Sequence, residues 1–266
     1  MQSQNGPEDG DINPEGGDAH PEPEEGSKLV RLRKSVGVIG SGTAPIDESV
    51  VSPRLYNAFN YSLITRNRGN VRMVVGIASA NPGEGKTLVA CNLAVPLAMV
   101  YERDVVVVDL NVAAPAVHRV FGVAREPGLL ESMNEPIVTV HKTRVPHLFI
   151  LPAGSMHTIT GTSARLRERV APGQGPTPSL GLEQVAEFRD VLYSLQEEFD
   201  FVIVDMPATN EPGVPLILTN QMDGVLVVVD TNRTKKEHID RMFRTVHQSH
   251  VLGFVFNRAG EELLGG

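Results

Sequence analysis

The sequence contains no tryptophan, a single cysteine, and only 5% aromatic residues. One cysteine, Cys91, excludes an internal disulfide and a cysteine-rich zinc site, and its place inside an apolar stretch points to packing. No apolar run is long enough to span a bilayer, and the first residues lack the basic, apolar-cored pattern of a signal peptide. The expectation is a cytoplasmic protein that reaches a membrane only through a partner. Lysine and arginine are missing from residues 1–27, which hold eight acids: Glu8, Asp9, Asp11, Glu15, Asp18, Glu22, Glu24 and Glu25. The net charge is −8, yet the remainder balances 24 basic against 24 acidic residues. The acidic segment is interrupted by Gly and Pro, cannot bury enough apolar surface to offset its ordering entropy, and is expected to be disordered. The short basic patch that follows, Lys28, Arg31, Arg33 and Lys34, is expected to attract it. The balanced remainder shows no basic face with interleaved aromatics, so nucleic-acid binding is not expected.

What the sequence does hold is 266 residues with 41% hydrophobic content, enough for one α/β domain with a substantial core. Its most informative stretch is Ala80-Asn81-Pro82-Gly83-Glu84-Gly85-Lys86-Thr87, after the apolar run 71–77 and before the helix-like stretch 88–100. A glycine-rich turn between strand and helix lets backbone amides curl around phosphate oxygens, while Lys86 bridges the terminal phosphates and the Thr87 hydroxyl can ligate Mg²⁺. The nucleotide site is therefore read over Asn81, Gly83, Glu84, Gly85, Lys86, Thr87 and Leu88, with ATP and Mg²⁺ as expected ligands.

Strands are expected at 71–79, 104–109, 147–151, 201–205, 224–229 and 252–256. Helices are expected at 88–101, 182–198 and 235–247. Continuous apolar strands separated by helices predict an α/β fold with a mostly parallel sheet and helices on both faces, the P-loop NTPase fold. Ligands in such sheets collect at the carboxyl ends of the strands. Residues 36–42 start like a dinucleotide fingerprint, but Pro45 replaces the third glycine, and the segment reads as a linker or edge strand. Ser52-Pro53 opens a helix to about Thr65, and 155–180 reads as a mobile loop. The resulting division is an acidic tail (1–27), a linker (28–51), the nucleotide domain (52–260) and a short tail (261–266).

Two strands end in an aspartate, Asp109 and Asp205, where acids would meet a metal held by Thr87. A strand-end aspartate alone is more often a helix cap or turn former. Two of them beside a phosphate loop favour a functional role.

Several further pieces join the loop: Ser52-Pro53, Asn92-Leu93-Ala94, Pro115, His118-Arg119, Phe121-Gly122, Pro127-Gly128-Leu129, Leu151-Pro152-Ala153-Gly154, Asp205-Met206-Pro207 and Asn257-Arg258. Together, over about residues 50–260, the chain resembles the bacterial tyrosine kinases of capsule and exopolysaccharide export. The resemblance implies an ATP-binding module that pairs with a membrane polysaccharide co-polymerase, assembles in a ring, and phosphorylates tyrosines in a neighbour's tail. It places Asp109 towards the acceptor hydroxyl, Asp205 at Mg²⁺, and Asn257 and Arg258 near the adenine. The partitioning and septum-site ATPases share the fold but carry a signature lysine where this chain has Asn81.

The chain departs from the kinase pattern at three places. The second acid of Asp-x-Asp is Asn111, and the two arginines expected before Pro115 are Ala113 and Ala114. No tyrosine follows Tyr193, and the helix after Pro53 lacks the glutamate and arginines that join subunits in the ring. Tyr56 and Tyr61 of that helix read as packing residues. The expectation is a kinase-like ATP-binding regulator, a pseudokinase, with an active kinase acting on a partner and a partitioning-type ATPase as the alternatives.

Overall fold

Valine-rich runs dictate the architecture. In Val105–Asp109 (β3), Phe201–Asp205 (β6) and Gly224–Asp230 (β7) every residue is buried, so these strands have neighbours on both faces as well as both edges. The computed structural model describes residues 34–41, 56–66, 72–155, 182–211 and 216–259. Its sheet has eight strands in the order β1-β4-β5-β3-β6-β2-β7-β8. The others are Ser35–Ser41 (β1), Met73–Ser79 (β2), Ile137–Lys142 (β4), Leu148–Leu151 (β5) and Val251–Asn257 (β8). Strands β5, β3, β6, β2, β7 and β8 run parallel, while β4 is antiparallel to β5 and carries β1 parallel to itself. This is the P-loop NTPase fold expected from the sequence.

Side chains alternate across a strand, and that alternation divides the core into two layers. Val74, Val106, Val108, Val202, Val204 and Val227 face one layer, which contains Phe188, Leu192 and Leu195 of Leu182–Glu198 (α5). Val75, Ile77, Val105, Val107, Ile203 and Val228 face the other, built on Val89, Leu93 and Leu97 of Lys86–Met99 (α2). Helix α2 is buried nearly all round, because Asn57–Arg66 (α1) covers its second side and the Asn60 amide donates to the Leu93 carbonyl at 3.3 Å. Cys91 lies fully buried in α2.

The segment read as linker or edge strand contains the edge strand β1. Strand β4 and the short helices Val117–Phe121 (α3) and Leu129–Asn134 (α4) were not expected. The last helix, Lys236–Met242 (α6), is shorter than its predicted span. The helix expected from Ser52 to about Thr65 is described as α1 with Tyr56 before it; residues 52–55 lie outside the described residues. One expectation is corrected: Tyr56 packs against the α2 layer, but Tyr61 is 62% exposed. Five residues advance a helix by about 140° beyond one turn, so the two rings cannot share a face. Of the basic patch only Lys34 lies among the described residues. Its half-buried ammonium donates to the carbonyls of Ser132 (2.5 Å) and Met133 (2.8 Å) at the end of α4, which makes it a helix C-terminal cap. The acidic segment, residues 42–55, most of the Ser/Thr/Gly/Pro-rich stretch and residues 260–266 lie outside the described residues.

Candidate functional site

Strand β2 sits between β6 and β7, so the loop leaving it emerges in the middle of the sheet's carboxyl end. Two glycines turn this loop. Gly83 has φ +76° and Gly85 φ +99°, a region L side chains rarely adopt, and together they reverse the chain into α2. Helix α2 has Gly85 as its N-cap with no side-chain cap bond, which leaves its first amides facing the loop's concavity, the usual provision for a phosphate. A β-carbon on Gly85 would also collide with the side-chain amide of Asn257. Gly85→Ala is therefore expected to cost about 1–3 kcal/mol, a melting temperature several degrees lower, and to weaken ATP binding with it. Thermal denaturation with and without Mg·ATP checks this; an unchanged melting temperature would contradict it.

Lys86 is only 6% exposed, and its ammonium donates to the Ser79 hydroxyl at 2.9 Å. Burial lowers its pKa, opposed by the charges of Asp205, Glu211 and Glu84. The Thr87 hydroxyl donates to Oδ2 of Asp205 at 2.5 Å, while Oδ1 of Asp205, fully buried, has no partner. Burial first, and the charge of Asp109 second, push the Asp205 carboxyl up to about 7, against the Thr87 bond and Lys86.

Asp109 lies beside Asp205 in the register of β3 and β6. Its carboxylate accepts from the backbone amides of Asn111 (3.2 Å), Ala116 (2.9 Å) and Val117 (3.1 Å), and so organises the turn into α3. Burial raises its pKa to about 6 despite these bonds. Both oxygens of Asp109 are thus engaged, whereas Asp205 keeps one free.

The other side of the loop is fastened to β7, β8 and α6. Glu84, 2% exposed, accepts from the Asn81 amide (3.1 Å), the Asn81 side chain (2.8 Å) and the Thr234 hydroxyl (2.5 Å). The Asn81 side chain also donates to Nδ1 of His238 at 3.0 Å. Asn257 donates to the Glu84 carbonyl at 2.9 Å, and Arg258 pairs with the buried Asp230 at the end of β7. Asn81, Gly83, Glu84, Gly85, Lys86, Thr87, Asp205, Asn257 and Arg258 are thus brought together, and Leu88 follows in the first turn of α2. Thr234 and His238 were not singled out in the sequence. They belong to no motif, and their partners lie about 150 residues away, so nothing short of the fold could have found them.

These residues fit a magnesium nucleotide. Turned glycines, free helix-start amides and a buried lysine without a carboxylate in hydrogen-bond contact suit phosphate; a threonine hydroxyl beside a carboxylate with an unpartnered buried oxygen suits the metal. No cluster of three or more His, Cys, Asp or Glu that could hold a metal occurs among the described residues.

Three comparisons place this geometry among known proteins. The profile of the family described as ParA, NUBPL iron-transfer P-loop NTPase, matches residues 70–261. Tyrosine-protein kinase CpsD of Streptococcus pneumoniae serotype 4 is 26% identical over 197 residues, 71% of this chain and 78% of that protein. The succinoglycan biosynthesis transport protein ExoP of Rhizobium meliloti is 26% identical over 202 residues, 74% of this chain but 24% of its own length. Among solved structures, the VpsO kinase domain superposes with TM-score 0.61 at 24% identity, covering 78% of this chain and 94% of that one, a likeness of fold. The resemblance to bacterial tyrosine kinases of capsule and exopolysaccharide synthesis therefore holds.

Proposed function

We propose, from the premise that the chain belongs to the ParA family of P-loop NTPases, that it is an ATP-binding, tyrosine-kinase-like regulator of exopolysaccharide or capsule assembly. In this reading it acts through the cytoplasmic end of a membrane co-polymerase, with reduced or lost phosphotransfer. No helix among the described residues is long and apolar enough to cross a membrane, so contact with the bilayer is assigned to that partner. The iron-transfer part of the family description is not carried over: the single cysteine is buried in α2, where burial raises its thiol pKa well above the ordinary value.

The loop amides and Lys86 bind the phosphates; Thr87 and Asp205 are the residues that would hold Mg²⁺. When bound, the metal supplies neutralising charge across the terminal phosphates. Asp109 is the residue that would face an acceptor hydroxyl, and Asn257 and Arg258 the ones that would lie near the base. The observation that carries the reading is the sparse carboxylate set. Of the two strand-end acids Asp205 keeps an oxygen without a partner, Asp109 gives both of its oxygens to backbone amides, and the second acid of the kinase pattern is replaced by Asn111. Loss of an outer partner of a metal site costs about 10- to 100-fold in metal affinity or activity. A protein that keeps nucleotide binding without efficient transfer can still signal, because ATP shifts its conformational population and a partner reads the result.

The test follows labelled phosphate from Mg·ATP into the purified protein and into the cytoplasmic end of its co-polymerase partner, with Lys86→Ala as background. ATP retained in a Lys86-dependent manner, with transfer at background, is the expected result. Labelled tyrosine that vanishes in Lys86→Ala would mean that Asn111 is tolerated and the protein is an active kinase acting in trans, with Lys86 and Asp205 in place and Asp109 facing the acceptor while it still holds the turn into α3.

A further inference from the structure

The turn between β7 and α6 reaches over the phosphate loop and brings a guanidinium with it. A β-carbon built on Gly83 meets one atom of another element within 4 Å, Nη1 of Arg233, at 3.9 Å. The Arg233 backbone is held there by a dense set of short-range bonds. Its own amide and that of Thr234 donate to the Asp230 carbonyl at 3.1 and 2.9 Å, and the Asn232 amide donates to the Asp230 carboxylate at 3.0 Å. The turn is in turn locked to the loop through Thr234 and Glu84 at 2.5 Å and through His238 and Asn81 at 3.0 Å. Arg233 is thus presented at a fixed place, not by a freely moving connection.

Its side chain is exposed and makes no hydrogen bond or salt bridge among the described residues, although its charge acts on the Asp230 carboxylate. The neighbouring carboxylate that could have taken it, Asp230, is paired with Arg258. Asn81, the loop's own polar side chain on this face, is committed to Glu84 and His238. Meanwhile Asp205, Glu211 and Glu84 all act on Lys86, so the loop's one lysine already answers three acids before any ligand arrives. A polyphosphate entering this site needs positive charge beyond Lys86, and the unpaired guanidinium beside Gly83 is placed to provide it.

From this juxtaposition we infer that Arg233 is a phosphate-binding residue of the nucleotide site, contributed from the β7–α6 turn and acting across the loop from Asp205. The inference rests on the nucleotide reading above and extends it to a residue outside the phosphate-loop motif. A guanidinium matches phosphate oxygens with paired donors, and one charge-assisted hydrogen bond of this kind contributes roughly a tenfold or larger change in affinity.

The experiment measures Mg·ATP affinity by calorimetry for the native full chain, Arg233→Ala, Arg233→Lys and Lys86→Ala, together with each protein's melting temperature without ligand. Arg233→Ala is expected to bind about tenfold more weakly. Arg233→Lys, which keeps the charge and loses the paired donors, is expected to bind between native and Arg233→Ala, and both melting temperatures are expected within about 1 °C of native, because the side chain supports no packing. Arg233→Ala binding within about twofold of native, while Lys86→Ala loses binding, would overturn the inference and leave the nucleotide site standing. A native chain that does not bind Mg·ATP would overturn both.

Discussion

Replacing Lys86 with alanine is expected to weaken Mg·ATP binding by about a hundredfold or more while moving the melting temperature by no more than about 3 °C. The asymmetry follows from where the lysine stands. The residue is 6% exposed, and its ammonium donates to a neutral hydroxyl, Ser79, rather than sitting in a hydrogen-bonded ion pair. Burial disfavours its charged form, so in the ligand-free protein this residue is held at a cost that the nearby acids only partly offset. Truncation relieves that cost, which compensates for the lost stem packing. In the proposed complex the same ammonium would make charge-assisted contacts to phosphate, each contributing about 1.5–3 kcal/mol, and no other side chain of residues 80–87 carries a positive charge to replace it. Calorimetry with paired melting curves checks both halves. Native-like affinity in the variant would remove the loop from the nucleotide site.

Asp205→Asn is expected to separate stability from ligand binding, raising the first at pH 8 and removing the metal dependence of the second. Burial pushes this carboxyl up to about 7, and Asp109 beside it to about 6, whereas both ionise near 4 in the unfolded chain. The folded state therefore binds more protons than the unfolded state between about pH 4 and pH 7. Stability contributed by these acids is fully present below pH 4, falls as pH rises across that window, and is flat above it. An asparagine at 205 has no proton to lose, can still accept from Thr87, and carries no charge for Asp109 to repel. The difference between variant and native should grow from near zero at pH 4.5 to the order of 2 kcal/mol at pH 8, a rise of about 4–8 °C in melting temperature. Added Mg²⁺ should strengthen ATP binding to the native chain and do so at least about tenfold less for the variant. A variant less stable than native at pH 8, or one with full Mg²⁺ dependence, would refute the assignment.

The central sheet was legible because Val105 to Val108, Val202 to Val204 and Val225 to Val229 are buried on both faces, which forces continuous apolar runs. Strand β4 escaped because it mixes exposed ends, Ile137 and Lys142, with the buried Val138 and Val140 and the polar but buried His141, so it shows no continuous apolar run. A six-residue alternation is too short to distinguish from a loop until β1 and β5 pair with it. The loop could be read because its chemistry demands glycine where φ is positive, at Gly83 and Gly85. The β7–α6 side of the site could not. Thr234, His238 and Arg233 are ordinary surface residue types in a helix-start pattern, and only the parallel β2–β7 pairing carries them to the loop. Asp109 matches both meanings of a strand-end aspartate: it ends a strand beside Asp205, the proposed metal ligand, and its oxygens cap the turn into α3.

The most direct measurement is equilibrium dialysis of the native chain against labelled ATP with and without Mg²⁺. Saturation at one ATP per chain, tightened by Mg²⁺, is the expected result. Failure to saturate at millimolar ATP, or binding indifferent to Mg²⁺, would contradict the assignment of residues 80–87, Thr87 and Asp205 to a magnesium nucleotide site.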